Sequence, residues 1–234
     1  MLEQILKEGF SDLGLQLSDE AIGRYRIYCD HLLETNKVMN LTAIEGEDDT
    51  ARLHFLDCAA LLKYADLKGK SLIDVGTGAG FPGLALKIAE PEIKLTLLDS
   101  LDKRIGFLKK TCELIGMEDV VCIHARAEEI PAGYREAFDA AASRAVARLN
   151  TLAEMSLPYV KVGGMFIAMK GPDIDEELEE AKPAIKKLGG KTEAVEKYTV
   201  FGTNAAHSAI IIRKISSTPP GLPRRWAQIK KKPL

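Results

Sequence analysis

At 234 residues, 46% hydrophobic and 28% charged, the chain holds enough apolar material for one packed domain with an appended piece, and too much for disorder. No apolar run approaches the roughly 20 residues that span a bilayer, and the opening MLEQILKEGFSDLG lacks the apolar stretch of a signal peptide, so a cytoplasmic chain without a membrane partner is expected. The net charge of −2 is unevenly spread: seven basic and no acidic residues fall between Arg213 and Leu234, leaving −9 on the rest, a basic arm on an acidic body.

Residues 1–66 read as a helical region. Leu2, Ile5, Leu6, Phe10 and Leu13 recur at helical spacing. Ser18 caps a second helix with Asp19 and Glu20 in its first turn, and Ile22, Tyr25, Cys29, Leu32 and Leu33 form its stripe. Asn40-Leu41-Thr42 links irregularly to a third helix from about Asp49 to Tyr64, with Leu53, Leu56, Ala60 and Leu61 inward. From Ser71 strand-length apolar runs alternate with helical stretches, as in parallel βαβ units. The strands are Ser71–Val75, Lys94–Leu98, Val120–Ile123, Phe138–Ala142 and Gly164–Met169; helices begin near Gly80, Asp102, Pro131, Arg148 and Asp173, the last with Asp173 as cap. Lys191–Phe201 and His207–Arg213 leave room only for a hairpin at residues 202–206. The sheet is therefore mixed, mostly parallel and seven-stranded, an α/β core over 67–214. Residues 215–234 read as an extended basic tail, with Pro219, Pro220, Pro223 and Pro233 opposing helix.

The most informative motif is Asp74-Val75-Gly76-Thr77-Gly78-Ala79-Gly80-Phe81-Pro82-Gly83, where a strand gives way to a helix. Gly76, Gly78 and Gly80 let the turn be tight and the backbone approach a ligand. Exposed N–H groups at the helix start suit a polar or anionic one. Asp99, 25 residues beyond Asp74, ends the second strand, where an acid accepts hydrogen bonds from ribose hydroxyls. The same residues satisfy a dinucleotide fingerprint, so a nicotinamide-binding protein stays open on motifs alone. The closing hairpin and Leu157-Pro158-Tyr159-Val160-Lys161-Val162-Gly163-Gly164-Met165-Phe166-Ile167, similar to the glycine turn and fifth strand of Rossmann-like class I methyltransferases, favour a methyltransferase. Cys29, Cys58, Cys112 and Cys122 form no CxxC pair and the four histidines are scattered, so reduced thiols and no metal are expected.

Several further motifs occur together: Asn40-Leu41-Thr42, Arg52-Leu53-His54-Phe55-Leu56-Asp57, Asp99-Ser100-Leu101-Asp102-Lys103-Arg104 and Arg126-Ala127-Glu128-Glu129. With them stand Ser143-Arg144-Ala145-Val146-Ala147, Met169-Lys170-Gly171, Pro223-Arg224-Arg225 and Lys231-Lys232-Pro233-Leu234. In this combination the chain resembles, over nearly its whole length, the bacterial 16S rRNA guanine-N7 methyltransferase family, also called glucose-inhibited division protein B. It departs in Cys58, where that family often has serine, and in Ala227 and Ile229, where glycine and proline are expected.

The resemblance implies S-adenosylmethionine as cofactor and, as acceptor, a guanine N7 at position 527 of 16S ribosomal RNA, met as free RNA or a small-subunit precursor. It implies that Gly76 and Phe81 lie on the methionine and ribose side of the cofactor, with Gly78 and Gly80 of the same loop also expected to bind it. Asp99 then serves the ribose, Ser100 beside it also contacts the cofactor, Ala127 and Glu128 flank the adenine, and Arg144 faces the pocket as an orienting residue. Asn40, Lys170, Arg224, Arg225, Lys230 and Lys231 are the RNA-side candidates, since phosphate contacts need Lys and Arg. The basic arm is expected to bind RNA without touching the cofactor site, and the protein to be a monomer. Guanine N7 carries a lone pair and no proton, so no general base is required; His54 and Asp57 are expected to join the helical region to the core by buried hydrogen bonds. A small-molecule methyltransferase with the N-terminal helices as lid is the other enzymatic alternative.

Overall fold

The computed structural model describes residues 1–144 and 147–234; Ala145 and Val146 of the Ser143–Ala147 motif lie outside the described residues. Seven strands form one sheet: β1 (Ser71–Val75), β2 (Lys94–Asp99), β3 (Val121–His124), β4 (Phe138–Arg144), β5 (Val160–Lys170), β6 (Gly190–Thr199) and β7 (Ala206–Lys214). Their order is β3-β2-β1-β4-β5-β7-β6, with β7 antiparallel to both neighbours and the others parallel. This is the mixed sheet expected, and the hairpin closes through Val200 N–H to the Ala205 carbonyl at 2.9 Å.

Two-residue alternation sorts the side chains onto two faces. Leu72, Leu95, Leu97, Ala140, Ala142 and Ile167 join one core; Ile73, Val75, Ala141, Phe166, Ala168 and Ile210 join the other. The first core is covered by α1 (Leu2–Asp12), α2 (Asp19–Met39), α3 (residues 47–63), α4 (Gly83–Ala89) and α5 (Asp102–Leu114). Leu2, Ile5, Leu6 and Phe10 are its α1 contribution, and the Ser18 hydroxyl accepts the Ala21 N–H at 3.1 Å, as a cap should. The expected third helix is less regular than its pattern suggests. Ala51–Leu56 winds as a π-turn, which leaves Leu53 only half-buried while His54 and Phe55 turn inward. The second core is covered by α6 (Leu149–Ser156), α7 (Asp175–Lys187) and the C-terminal segment.

Three expectations are corrected. No helix follows Pro131: residues 131–137 form turns in which Gly133 and Glu136 take positive φ (81° and 50°). Helix α7 starts at Asp175 with Ile174 at the cap position, and Asp173 stands exposed without capping it. The tail is not an extended arm. It contains α8 (Trp226–Lys231), in the one stretch after Pro223 long enough and free of proline.

The tail's path follows from the sheet. Because β7 runs against β5, pairing Lys170 with Ser208 and Met165 with Arg213, the chain leaves the sheet at the end where β5 begins. It then climbs the second face. Arg135 donates to the carbonyls of Thr218, Pro219 and Leu222, and the Thr218 N–H donates to Glu136. Arg224 meets Glu154, whose side chain is 0% exposed, and Ile229 is fully buried.

Candidate cofactor cleft and adjoining cavity

The glycine loop is shaped by Asp74. Its Oδ2 accepts the Thr77 hydroxyl at 2.7 Å and the Gly83 N–H at 2.8 Å, folding the chain back on the end of β1. Burial pushes the Asp74 carboxyl up to about 6 against the pull of those two donors. Gly76, Gly78 and Gly80 take φ of 72°, 62° and 105°, a region open chiefly to glycine. Their roles differ. A Cβ on Gly78 would meet nothing within 4 Å, whereas one on Gly80 would sit 2.5 Å from the Tyr28 hydroxyl. Gly80 is thus the point where α2 closes on the loop; Gly78 faces open space.

That space is a cleft of about 570 Å³ at the carboxyl ends of β1, β2 and β4, where sheet order reverses. Gly76, Gly78, Phe81, Asp99, Ser100, Ala127, Glu128 and Arg144 all line it; Gly80 does not. Asp99 binds protein as well as facing the cleft. Its Oδ2 accepts the Gly78 N–H at 2.9 Å and Arg104 at 3.3 Å, and its Oδ1 accepts the Leu101 N–H at 2.9 Å. Glu128 is held by Arg126 at 2.7 Å. The volume falls within the usual range for small-ligand sites. A near-buried carboxylate, an open glycine position and charged groups of both signs along the walls suit a ligand with hydroxyls and charges of both signs.

One end of the cleft is built from a network that the helical region brings to the sheet. Arg144 Nη2 lies 2.7 Å from His54 Nδ1, and Nη1 donates to the Leu53 carbonyl at 3.1 Å and to Asp57 Oδ2 at 3.3 Å. Guanidinium has no acceptor, so Nδ1 of His54 carries the lone pair and its Nε2–H donates to Thr42 Oγ1 at 2.8 Å. Burial, reinforced by the Arg144 charge, pushes His54 down to about 3, so it is neutral. Its ring stacks on Phe81 at 4.2 Å, and the Arg144 guanidinium lies 4.8 Å over the same ring. Asp57 also takes His207 Nδ1 and the Tyr198 hydroxyl, each at 2.8 Å, tying β6 and β7 to α3.

His54 and Arg144 are also walls of a second cavity, about 810 Å³, lined further by Asp57, Arg148, Lys170, Glu177 and His207. Lys170 therefore stands beside the cleft but not in it, its ammonium held by Glu177 and the Ala147 carbonyl. Asn40 closes α2 in the left-handed region (φ 50°), placing Leu41 and Thr42 at the cleft edge; Arg225, Lys230 and Lys231 line neither cavity. Thr77 and Arg104 join the walls from within the glycine-loop and Asp99–Arg104 motifs, whereas Met155 and Trp226 come from outside every expected site motif. Trp226 is the notable one. The basic segment was expected to stay clear of this site, and instead its α8 turn supplies a wall.

Residues 22–205 match the family described as rRNA small subunit methyltransferase G. Proteins named ribosomal RNA small subunit methyltransferase G from Alkaliphilus oremlandii and Alkaliphilus metalliredigens are 50% and 46% identical to the chain. They align over 100% and 99% of it, and over 99% and 98% of their own lengths. Among solved structures, TrmN from Thermus thermophilus is similar in fold (TM-score 0.55, 19% identity, 68% of this chain and 48% of that one). So is a variant of the 16S rRNA (adenine(1408)-N(1))-methyltransferase from Catenulisporales acidiphilia with cosubstrate SAM (0.52, 14%, 65% and 88%).

Proposed function

Because the chain belongs to the rRNA small subunit methyltransferase G family, we propose that it transfers a methyl group from S-adenosylmethionine to N7 of a guanine in 16S ribosomal RNA, position 527 by the family resemblance. The observation that carries the reading is the cleft at the sheet's switch point, with open Gly78 backbone beside near-buried Asp99. Bound there, S-adenosylmethionine supplies a methyl group on a sulfonium, ready for direct displacement. Asp99 and Ser100 would hold the ribose, Ala127 and Glu128 would flank the adenine, and Gly76 and Phe81 would border the methionine end. The acceptor base would enter the second cavity and approach across the His54–Arg144 partition that both cavities share.

Proton chemistry is neither needed nor well provided for. Both ring nitrogens of His54 are engaged, and its low basicity leaves it no role as a base. The protein's contribution is alignment of donor and acceptor. Comparing N7-methylguanine in cellular 16S RNA with and without the protein tests the whole reading; an unchanged methylation map overturns it.

Two substitutions probe the cleft. Asp99→Ala is expected to weaken S-adenosylmethionine binding by roughly 1–3 kcal/mol, the cost of leaving polar partners unpaired. It should also lower the melting temperature, because Asp99 ties the Gly78 and Leu101 N–H groups. Calorimetry and a melt on the same sample read both, and equal dissociation constants would remove Asp99 from the ribose. Gly78→Val puts a β-branched residue at φ 62° with its side chain directed into the open space. A loss of cofactor affinity of at least roughly tenfold is expected; unchanged binding would place the cofactor elsewhere.

A further inference from the structure

The C-terminal segment carries a side chain that the cofactor reading leaves unexplained. Trp226 lines the cleft, together with Met155 of α6, yet it belongs to a stretch whose charge points to RNA. Its position is fixed. Arg224, two residues before it, donates from its backbone N–H and Nε to Glu154 Oε1 at 2.9 and 2.8 Å and from Nη2 to Oε2, while its Nη1 reaches the Lys232 carbonyl at 2.9 Å. Ile229, three residues after it, is fully buried. Below these, Arg135 and Lys214 grip the climbing chain through Thr218, Pro219 and Leu222. The indole packs against the same apolar cluster as Ala125 and Ala127, so it stands on the side of the cleft opposite the His54–Arg144–Phe81 end.

We propose that Trp226 is a cofactor-contacting wall, closing the cleft over the adenosine portion of S-adenosylmethionine, so that seating of the C-terminal segment and cofactor retention depend on each other. This rests on the reading of the cleft as the S-adenosylmethionine site. The chemistry is selective. Adenine is the flat aromatic part of that molecule, and an indole offers it a broad apolar face with little conformational freedom to lose. Basic residues beside it, Arg225 at the cap position and Lys230 within the short helix, are exposed.

The chain holds one tryptophan, so its emission reports this position alone. The full-length protein is titrated with S-adenosylmethionine, following tryptophan fluorescence and calorimetry in parallel. Emission is expected to change saturably with the calorimetric midpoint. Trp226→Ala, at a half-buried position, should keep the melt close to wild type and weaken calorimetric binding roughly tenfold, with Trp226→Phe recovering most of it. Unchanged affinity in Trp226→Ala overturns the proposal and leaves the cofactor reading intact. Absence of calorimetric binding to the wild-type protein overturns the cofactor reading and the proposal with it.

Discussion

Arg144→Met should abolish detectable methyl transfer and cost roughly 3 kcal/mol of stability, the low end of what breaking a buried ion pair costs. The substitution keeps most of the side chain's length and removes three hydrogen-bonding interactions, to His54, the Leu53 carbonyl and Asp57. The cost stays at the low end because His207 and Tyr198 still serve Asp57. That residual pairing gives the deficit a pH dependence. The hydrogen bond to Asp57 raises the His207 pKa against the opposing effect of burial and of the Arg144 charge. A histidine raised on folding stabilises in full below its unfolded value, about 6.5, and loses that contribution as pH rises through the folded value. With Arg144 gone, His207 becomes the principal cation at Asp57. The stability difference between variant and wild type should therefore be smaller near about pH 6 than near about pH 8.5. Urea melts at both values measure it, and a deficit flat across that range would show that His207 does not compensate.

Arg224→Ala is expected to lower the melting temperature by roughly 6–20 °C. The variant leaves Glu154, 0% exposed, with no cation; an uncompensated buried charge costs roughly 3–5 kcal/mol, and each kcal/mol moves a chain of this size by roughly 2–4 °C. Arg225→Ala, one residue on and exposed, should melt within roughly 2 °C of wild type. The pair separates two roles for the Pro-Arg-Arg motif, anchoring the segment and touching RNA. An Arg224→Ala protein with a wild-type melt and a shallower salt dependence of RNA binding would make Arg224 a phosphate contact rather than an anchor.

Most of the sheet was legible because its signals are local. Strand β1 occupies the expected Ser71–Val75, and the other strands shift by a few residues, since alternation and bounding turns are written into consecutive positions. The glycine loop was legible too, as three glycines in alternate positions have few other uses. Local reading failed where distant residues decide. Pro131 and its neighbours look like a helix start, but positive φ at Gly133 and Glu136 breaks the turn before it propagates. The tail's prolines argue correctly against helix at their own positions and say nothing about residues 226–231. Its fate is settled by Glu154, 70 residues earlier in sequence, whose burial on α6 requires a cation from elsewhere. A lone glutamate in an apolar helix was a usable clue, since acids of that kind are seldom fully buried unpaired. Likewise the π-turn at Ala51–Leu56 carries no periodicity of its own, though it is what sets His54 and Asp57 toward Arg144.

The climb of the C-terminal segment also orders events during synthesis. A chain emerging N-terminus first can pair β1, β2 and β4, close the glycine loop against Tyr28 and join Arg144 to His54 before residue 215 leaves the ribosome. It cannot complete the cleft. Trp226 follows every other lining residue, and Met155, the one before it, comes long before. A nascent protein therefore has its sheet and an open-sided cleft while the last wall is still being made, and Glu154 has not yet met the arginine that pairs with it. Translation that stops short of Arg224 leaves Glu154 without its arginine, a loss of stability of the kind that cellular quality control acts on.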